Sequence, residues 1–306
     1  MFSFTVTIPT HRRPHLLSHI LDTLDIQATA LNILLEILVI YSHNDDLPAN
    51  LINYRVLTVN YLHSPNIIAC KRNTGISYAS SPALVFLDDD CIPSCDFVER
   101  ITKHIPLLAT HKLFSGHAFL SHQSDNYYRF RQYLLRRRQM RIQKQGFIDA
   151  ASAYSMNFLA YRPFLLSLNL YFSESFTEYG WEDQYFFHQI IAHGATIHQG
   201  DQVVYHSVEP SFSSYCSKTQ SLGRNSLSYQ YLSGEYGSTL IRLLCSPSYP
   251  YLAGLLHYIS AYMLSFKLDR LLNIVPFPLA LPIFLFFYRL SFFHGYLDSL
   301  LLSSDS

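Results

Sequence analysis

Residues 4–8 read Phe-Thr-Val-Thr-Ile, an alternation that predicts a β-strand. Pro9 and Thr10 make the turn after it. Leu16, Leu17, Ile20, Leu21 and Leu24 then recur at helical spacing. Residues 35–41 form a nearly continuous apolar run, the pattern of a strand buried on both faces. A third strand is expected at 56–59, a helix over 68–79, and a fourth strand at 83–87. That strand runs straight into Asp88, Asp89 and Asp90. Alternating strands and helices imply right-handed crossovers and a mostly parallel sheet, in which ligands bind beyond the carboxyl ends of the strands. The three aspartates stand at such a place.

Farther along, Phe97, Val98, Ile101, Ile105 and Leu108 predict a helix over 96–108. Strands are expected at 113–118, 153–161 and 203–206, and a helix over 182–193 stopped by Gly194. From Ser211 the pattern turns helical and increasingly apolar. Residues 271–288 carry no charge, but Pro276, Pro278 and Pro282 interrupt them. Eighteen residues are at the lower limit for a membrane span, and three prolines would break a simple helix. A re-entrant or interfacial segment, with Arg270 and Arg289 at its flanks, or a helical subdomain packed on the core, are the two expectations.

Composition narrows the class. The 306 residues are 49% apolar and only 14% charged, enough for a sizeable core and far from the composition of a disordered chain. Basic and acidic residues balance at 22 each, so nothing global points to nucleic acid. The cysteines, Cys70, Cys91, Cys95, Cys216 and Cys245, are odd in number and scattered, which argues for reduced thiols rather than a disulfide framework or a structural zinc site. The first residues form a strand and lack the pattern of a secretory signal, so a cytoplasmic chain is expected. One local charge cluster stands out. Arg129, Arg131, Arg136, Arg137, Arg138, Arg141 and Lys144 fall within sixteen residues that contain no acidic side chain. Tyr127, Phe130 and Leu134 share a helical face among them. Such a helix is either amphipathic with a solvated basic side, or a surface for anionic lipid or a phosphorylated acceptor.

Four short motifs carry possible chemistry. Three adjacent carboxylates at a strand end repel one another, and a divalent cation such as Mg²⁺ or Mn²⁺ supplies compensation while leaving positions for phosphates. A solvated acidic turn is the ordinary alternative. Gly180-Trp181-Glu182-Asp183 puts two carboxylates in the first turn of a helix. There the dipole favours the ionised form that a general base requires, although acidic residues also sit at such places without a catalytic role. Lys71-Arg72-Asn73-Thr74-Gly75 could hold a diphosphate or position the acidic strand end, or be a capped, solvated helix. His206 closes the last strand, a position where a histidine is more often structural.

In order, these pieces resemble the family 2 glycosyltransferases, inverting enzymes of the GT-A fold. Residues 6–14, Val-Thr-Ile-Pro-Thr-His-Arg-Arg-Pro, are similar to that family's first strand and Pro-Thr turn. Arg72-Asn73-Thr74-Gly75-Ile76 is similar to its Arg-Asn-x-Gly helix. Phe86-Leu87-Asp88-Asp89-Asp90 is similar to its DxD motif. Residues 172–176 and 180–183 resemble its acidic acceptor-site motif.

The resemblance implies a GT-A catalytic domain over 1–210, with a nucleotide-sugar half at 1–118 and an acceptor half at 119–210. A helical C-terminal region, 211–306, would follow and could associate with a membrane. It implies transfer of a hexose from a nucleotide-diphosphate sugar to a glycan or lipid-linked acceptor, at the cytoplasmic membrane face and in cell-envelope glycan or glycolipid synthesis. Asp183 is the expected base and Glu182 its companion. Asp88, Asp90 and His206 are expected at a Mn²⁺ or Mg²⁺ ion. Pro9, Thr10, Arg12, Arg72, Asn73, Asp88 and Asp89 are expected around the donor. One departure is clear. The family's second strand usually ends in an Asp that contacts the nucleobase, and Tyr41 or Ser42 stands there instead.

That departure is the best support for a second reading, a catalytically degenerate GT-A relative that binds a nucleotide, a glycan or a partner. A nucleotidyltransferase would carry a Gly-rich loop after its first strand, and residues 9–13 hold no Gly. A processive polymer synthase would need a Gln-x-x-Arg-Trp motif, but the only Trp is Trp181. Transfer of a single sugar fits better.

Overall fold

Strands β1 (Phe4–Pro9), β2 (Leu35–Tyr41), β3 (Leu57–His63) and β4 (Ala83–Leu87) lie parallel, in the order β3-β2-β1-β4. Every residue of β1 and β4 is buried, and so are the first six of β2. Near-continuous apolar strands therefore form the sheet centre, where each fully buried Val, Leu, Ile or Phe contributes roughly 1.5–3 kcal/mol. The computed structural model describes residues 2–48, 54–120, 125–145, 147–177, 180–207, 211–226, 228–229, 250–264 and 269–304.

The sheet continues past β4 through β7 (Asn157–Tyr161), β6 (Lys112–Leu120), β8 (Thr196–His206) and β5 (Cys91–Pro93). β7 runs antiparallel to both β4 and β6, β8 is parallel to β6, and β5 is antiparallel to β8. The mostly parallel sheet expected from the sequence is present, with β5 and β7 as its two reversed strands. From β1 the chain winds outward through β2 to β3, then returns to the opposite side of β1 as β4. The carboxyl ends of β1 and β4 therefore flank a topological switch point, where open α/β sheets bind ligands.

Helices α1 (Pro14–Leu31), α2 (Ile68–Tyr78), α3 (Phe97–His104), α4 (Asn126–Gln145), α5 (Arg162–Ser167) and α6 (Glu182–Ala192) connect these strands. Helix α2 lies unusually close to the sheet. A Cβ on Gly75 would come within 2.1 Å of Thr7 Oγ1 on β1, so only glycine permits this approach. That contact brings Arg72, one turn earlier, to the carboxyl ends of the strands.

Several boundaries differ from the sequence expectations. The helix expected over 96–108 ends at His104 and continues as a 3₁₀ segment, Ile105–Thr110, because Pro106 supplies no N–H to an α-helical ladder. β7 begins at Asn157 rather than 153, and β8 begins seven residues before the expected 203. The early part of β8, with His198, Gln199 and Asp201, is polar and lies beside β6 at a register irregularity.

The chain divides into two compact units: 1–121, 138–174 and 182–207 in the first, and 122–137, 175–181 and 208–306 in the second. In the second, Tyr127, Phe130, Phe212, Cys216, Leu272, Ala280 and Phe284 form a core, with Phe130 stacked on Phe284 at 5.1 Å. The expected apolar face of α4 (Tyr127, Phe130, Leu134) belongs to this core. Trp181 stacks on Tyr229 and donates its indole N–H to Leu222 O at 2.6 Å. Helix α7 (Phe212–Arg224) crosses the helix Phe277–Ser304 where Gly223 meets Phe292 and Gly295 meets Gln220. A Cβ at either glycine would sit about 2 Å from the opposing backbone oxygen.

The 28-residue helix Phe277–Ser304 corrects the expectation that three prolines break this stretch. Pro276 precedes the helix and Pro278 lies in its first turn, where N–H groups have no helical partner in any case. Only Pro282 is interior, and the helix continues through it. Among the described residues this is the one helix long and apolar enough to cross a membrane, over Phe277–Ser299.

Candidate active site

At the end of β1 the backbone turns sharply. Arg12 adopts a left-handed conformation, φ 54°, and donates its N–H to Asp46 Oδ1 at 2.7 Å. Asp46 is fully buried and also accepts from the N–H groups of Ser42 and His43, both at 3.0 Å. Burial pushes its pKa up, but the N–H groups of Ser42, Arg12 and His43 outweigh this and hold it below the ordinary 3.8. Asp46 is thus a staple between the loops after β1 and β2. Asp46→Ala should lower stability by on the order of 2–3 kcal/mol at neutral pH, measured by urea denaturation. A carboxyl whose folded pKa is depressed contributes its stability above its unfolded value and loses it as pH falls through the folded value. The gap between wild type and variant should therefore close below about pH 3.8.

The same β1 turn holds Asp89. Its carboxylate accepts from the Thr10 hydroxyl at 3.1 Å, the His11 N–H at 2.8 Å and Arg13 Nη1 at 2.6 Å. Lys71 Nζ donates to Thr10 O at 2.6 Å. Asp89 therefore ties β4 to β1. Arg13 Nη1 also reaches Asp90 Oδ2 at 2.9 Å. Arg13, which the sequence reading did not single out, is the arginine that meets the aspartate triplet, whereas Arg12 uses its backbone N–H and leaves its side chain exposed. Adjacent arginines look alike in a sequence, and the left-handed φ that turns one outward has no signature of its own.

Arg72 is the centre of the other half. Its Nη2 lies 3.1 Å from Asp88 Oδ1, and its Nη1 lies 2.7 Å from Asp183 Oδ1 and 3.4 Å from Glu182 Oε1. One guanidinium thus brings together the two motifs that the sequence places far apart. Burial disfavours its charge, but Asp183, Asp88 and Glu182 outweigh burial and raise its pKa. Ser155 Oγ donates to the second oxygen of Asp183 at 2.6 Å. The Arg72 side chain is 4% exposed and Glu182 6%, whereas Asp88 at 27% and Asp183 at 21% keep a solvent-facing side. Asn73 serves the neighbouring loop: its side-chain amide exchanges hydrogen bonds with the backbone of Phe172 at 2.9 and 2.8 Å, and it donates to Glu174 at 2.9 Å.

The β5–β8 pairing sets Cys91 opposite His206. His206 Nε2 lies 3.6 Å from Asp90 Oδ1, and ligand atoms of Asp90, Cys91 and His206 all fall within 4.8 Å of one another. Cys91 was not expected here. Its proximity follows from a three-residue strand that no sequence pattern announces. Burial, with Asp90 and Asp88 adding to it, pushes its thiol well above the ordinary range, so it stays protonated. Asp90 and His206 are the better donors. Asp88 lies outside this cluster and turns to Arg72.

The charge balance bears on a cation. Five carboxylates (Asp88, Asp89, Asp90, Glu182 and Asp183) meet three cationic side chains, Arg13, Lys71 and Arg72. Carboxylates thus outnumber cationic side chains among these described residues, a setting that favours a bound cation. Burial pushes the Asp88 carboxyl up to about 6, with Asp90 and Asp183 adding to it against the opposing pull of Arg72. The residues present fit a hard divalent cation beside Asp90 and His206.

Residues 5–165 match the family model for glycosyl transferase family 2. No curated protein matches the chain. Among solved structures, it is similar to the mannosyltransferase PcManGT from Pyrobaculum calidifontis in complex with GDP-Man and Mn2+, with 17% identity and a TM-score of 0.54, covering 98% of this chain and 86% of that one. It is also similar to S. aureus TarS 1–349 in complex with UDP-GlcNAc, with 13% identity and a TM-score of 0.46, covering 98% of this chain and 91% of that one. The matched region holds β1, α2 and the β4 carboxyl end with its aspartates, and the fold is that of the GT-A glycosyltransferases. The chain belongs to glycosyl transferase family 2.

Proposed function

We propose that the protein is a metal-dependent, inverting glycosyltransferase that moves one sugar from a nucleotide-diphosphate sugar to an acceptor hydroxyl. The observation that carries this reading is the Arg72 node, where one guanidinium meets both Asp88 of the aspartate triplet and Asp183. Asp90 and His206 would hold a Mn²⁺ or Mg²⁺ ion, with Asp88 facing it from the Arg72 side. That ion, when bound, neutralises the charge that develops on the departing diphosphate. Pro9, Thr10 and Arg12 in the β1 turn line the donor side, with Asp89 fixing the turn from beneath. Arg72 and Asn73 fix the wall opposite.

Asp183 takes the proton from the attacking hydroxyl. Its carboxylate is held at both oxygens, by Arg72 and by Ser155, and keeps a solvent-facing side. Glu182 is more enclosed and braces Arg72 rather than meeting the acceptor. Attack from the face opposite the diphosphate inverts the anomeric carbon. The acceptor is proposed to be a lipid-linked or envelope glycan at the cytoplasmic membrane face. Support comes from the helices Pro250–Leu264 and Phe277–Ser304, which expose Leu255, Tyr258, Ile259 and Tyr262 on one and Leu279 and Phe286 on the other.

A binding-only relative is the second reading. Tyr41 at the end of β2 favours it, because its ring packs edge-on to His63 at 5.7 Å where the family places a carboxylate. The complete carboxylate set argues the other way.

A cation is tested by thermal shift with Mn²⁺. A carboxyl with a raised folded pKa makes its ionised form a cost, absent below its unfolded value and fully present above its folded value of about 6. Mn²⁺ should therefore raise the melting temperature more at neutral pH than at about pH 5, and less in Asp90→Ala. Equal shifts in Asp90→Ala and wild type would remove the ion from this site.

A further inference from the structure

A second cluster of metal-ligating side chains lies in the other unit, apart from the site above. His257 on the helix Pro250–Leu264 faces His294 and Asp298 on the helix Phe277–Ser304. The two histidines stack at 4.4 Å between ring centroids, 20° from parallel. His257 Nε2 lies 2.5 Å from Asp298 Oδ1. A ligand atom of each of the three residues falls within 4.8 Å of the others. His294 and Asp298 are four residues apart, so both project from one helical face, and His257 completes the set from the neighbouring helix.

We propose that His257, His294 and Asp298 bind a divalent transition-metal ion of the Zn²⁺ type, which ties the two helices together. Two imidazole nitrogens and one carboxylate oxygen are a borderline donor set, suited to Zn²⁺ rather than Mg²⁺. All three residues are partly exposed, so an ion can reach them and a water can complete a tetrahedron. The surroundings are arranged as outer partners of a metal site. Ser260 Oγ lies 2.8 Å from His294 Nδ1, which fixes that ring and leaves Nε2 for an ion. Arg224 Nη1 lies 3.5 Å from Asp298 Oδ2, on the carboxylate oxygen away from His257. Stacked imidazoles, one paired with Asp298 and the other with Ser260, also form a self-contained hydrogen-bonded cluster, and the test separates the two.

The probe is Co²⁺, whose visible ligand-field absorption reports a tetrahedral nitrogen and oxygen site, titrated into the full-length metal-free protein. Wild type should develop this absorption at one equivalent, and Zn²⁺ should bleach it. Asp90→Ala, which lacks the donor of the proposed catalytic site, should keep it. His294→Gln and His257→Gln, checked as folded by circular dichroism, should lose it, with Co²⁺ affinity down at least about tenfold. Zn²⁺ should raise the melting temperature of wild type but not of His294→Gln. No tetrahedral absorption in wild type, or an unchanged spectrum in both glutamine variants, would overturn the site and leave only the hydrogen-bonded cluster. Loss in Asp90→Ala alone would assign the signal to the first site and also overturn it. Because Asp90 and Asp183 take no part, failure here leaves the glycosyltransferase reading untouched.

Discussion

Asp183→Asn should lower sugar transfer by roughly 10²–10⁴-fold while leaving the fold and donor affinity close to wild type. The substitution removes only the capacity to take a proton. An Asn oxygen can still accept from Arg72 Nη1, now 2.7 Å from Asp183, and the Asn amide can donate to Ser155 Oγ, now 2.6 Å away. Steady-state transfer to a saturating acceptor should fall in kcat, with calorimetry showing the donor still bound. Glu182→Gln should cost less, because that carboxylate is enclosed against Arg72. Full activity in Asp183→Asn would remove it as the base.

Arg72→Met should be the most destabilising single change at the site. The guanidinium is the common partner of Asp88, Glu182 and Asp183. Removing it leaves enclosed Glu182 and the partly solvated Asp88 and Asp183 without their common cation, and stranding largely buried charge in this way costs up to roughly 3–5 kcal/mol. Urea denaturation at neutral pH should show that loss. The loss should shrink as pH falls through about 6, where Asp88 takes up a proton, and toward the ordinary carboxylate range. Arg72→Lys should fall between, since one ammonium cannot span both motifs. A midpoint equal to wild type at neutral pH would show that the carboxylates do not depend on Arg72.

The central strands were legible because β1, β2 and β4 are buried on both faces, so their residue choice is nearly all apolar. Position 88 was legible for a related reason: polar residues directly after such a strand have few places to be except the carboxyl edge of the sheet. What stayed hidden depends on pairing across long separations. β5 is three residues long and exists only because β8 lies beside it. The first half of β8 carries Gln199, Gly200 and Asp201 and lacks any strand period, its structure coming from β6. Arg72 could be named as a site residue, but its bond to Asp183 spans 111 residues and rests on the close approach at Gly75. The basic stretch in α4 was over-read as one surface. Arg138 and Arg141 bond to Ser152 and Arg131 lies over Tyr215, while Arg129, Arg136, Arg137 and Lys144, like the outer part of Arg141, are exposed.

Tyr41 and Asp46 show how a local rule can mislead in both directions. An acid does stand near the end of β2, five residues beyond Tyr41, but it is fully buried and holds the backbone of the β1 turn.

The most direct measurement is calorimetric titration of wild type, Asp90→Ala and Asp183→Asn with UDP-, GDP- and dTDP-sugars, with Mn²⁺ and with chelator. One donor class should bind wild type and Asp183→Asn only with Mn²⁺, and Asp90→Ala should bind it weakly or not at all. Donor binding that ignores both chelator and Asp90→Ala, or no donor binding by the folded wild type, would contradict a cation-assisted glycosyltransferase.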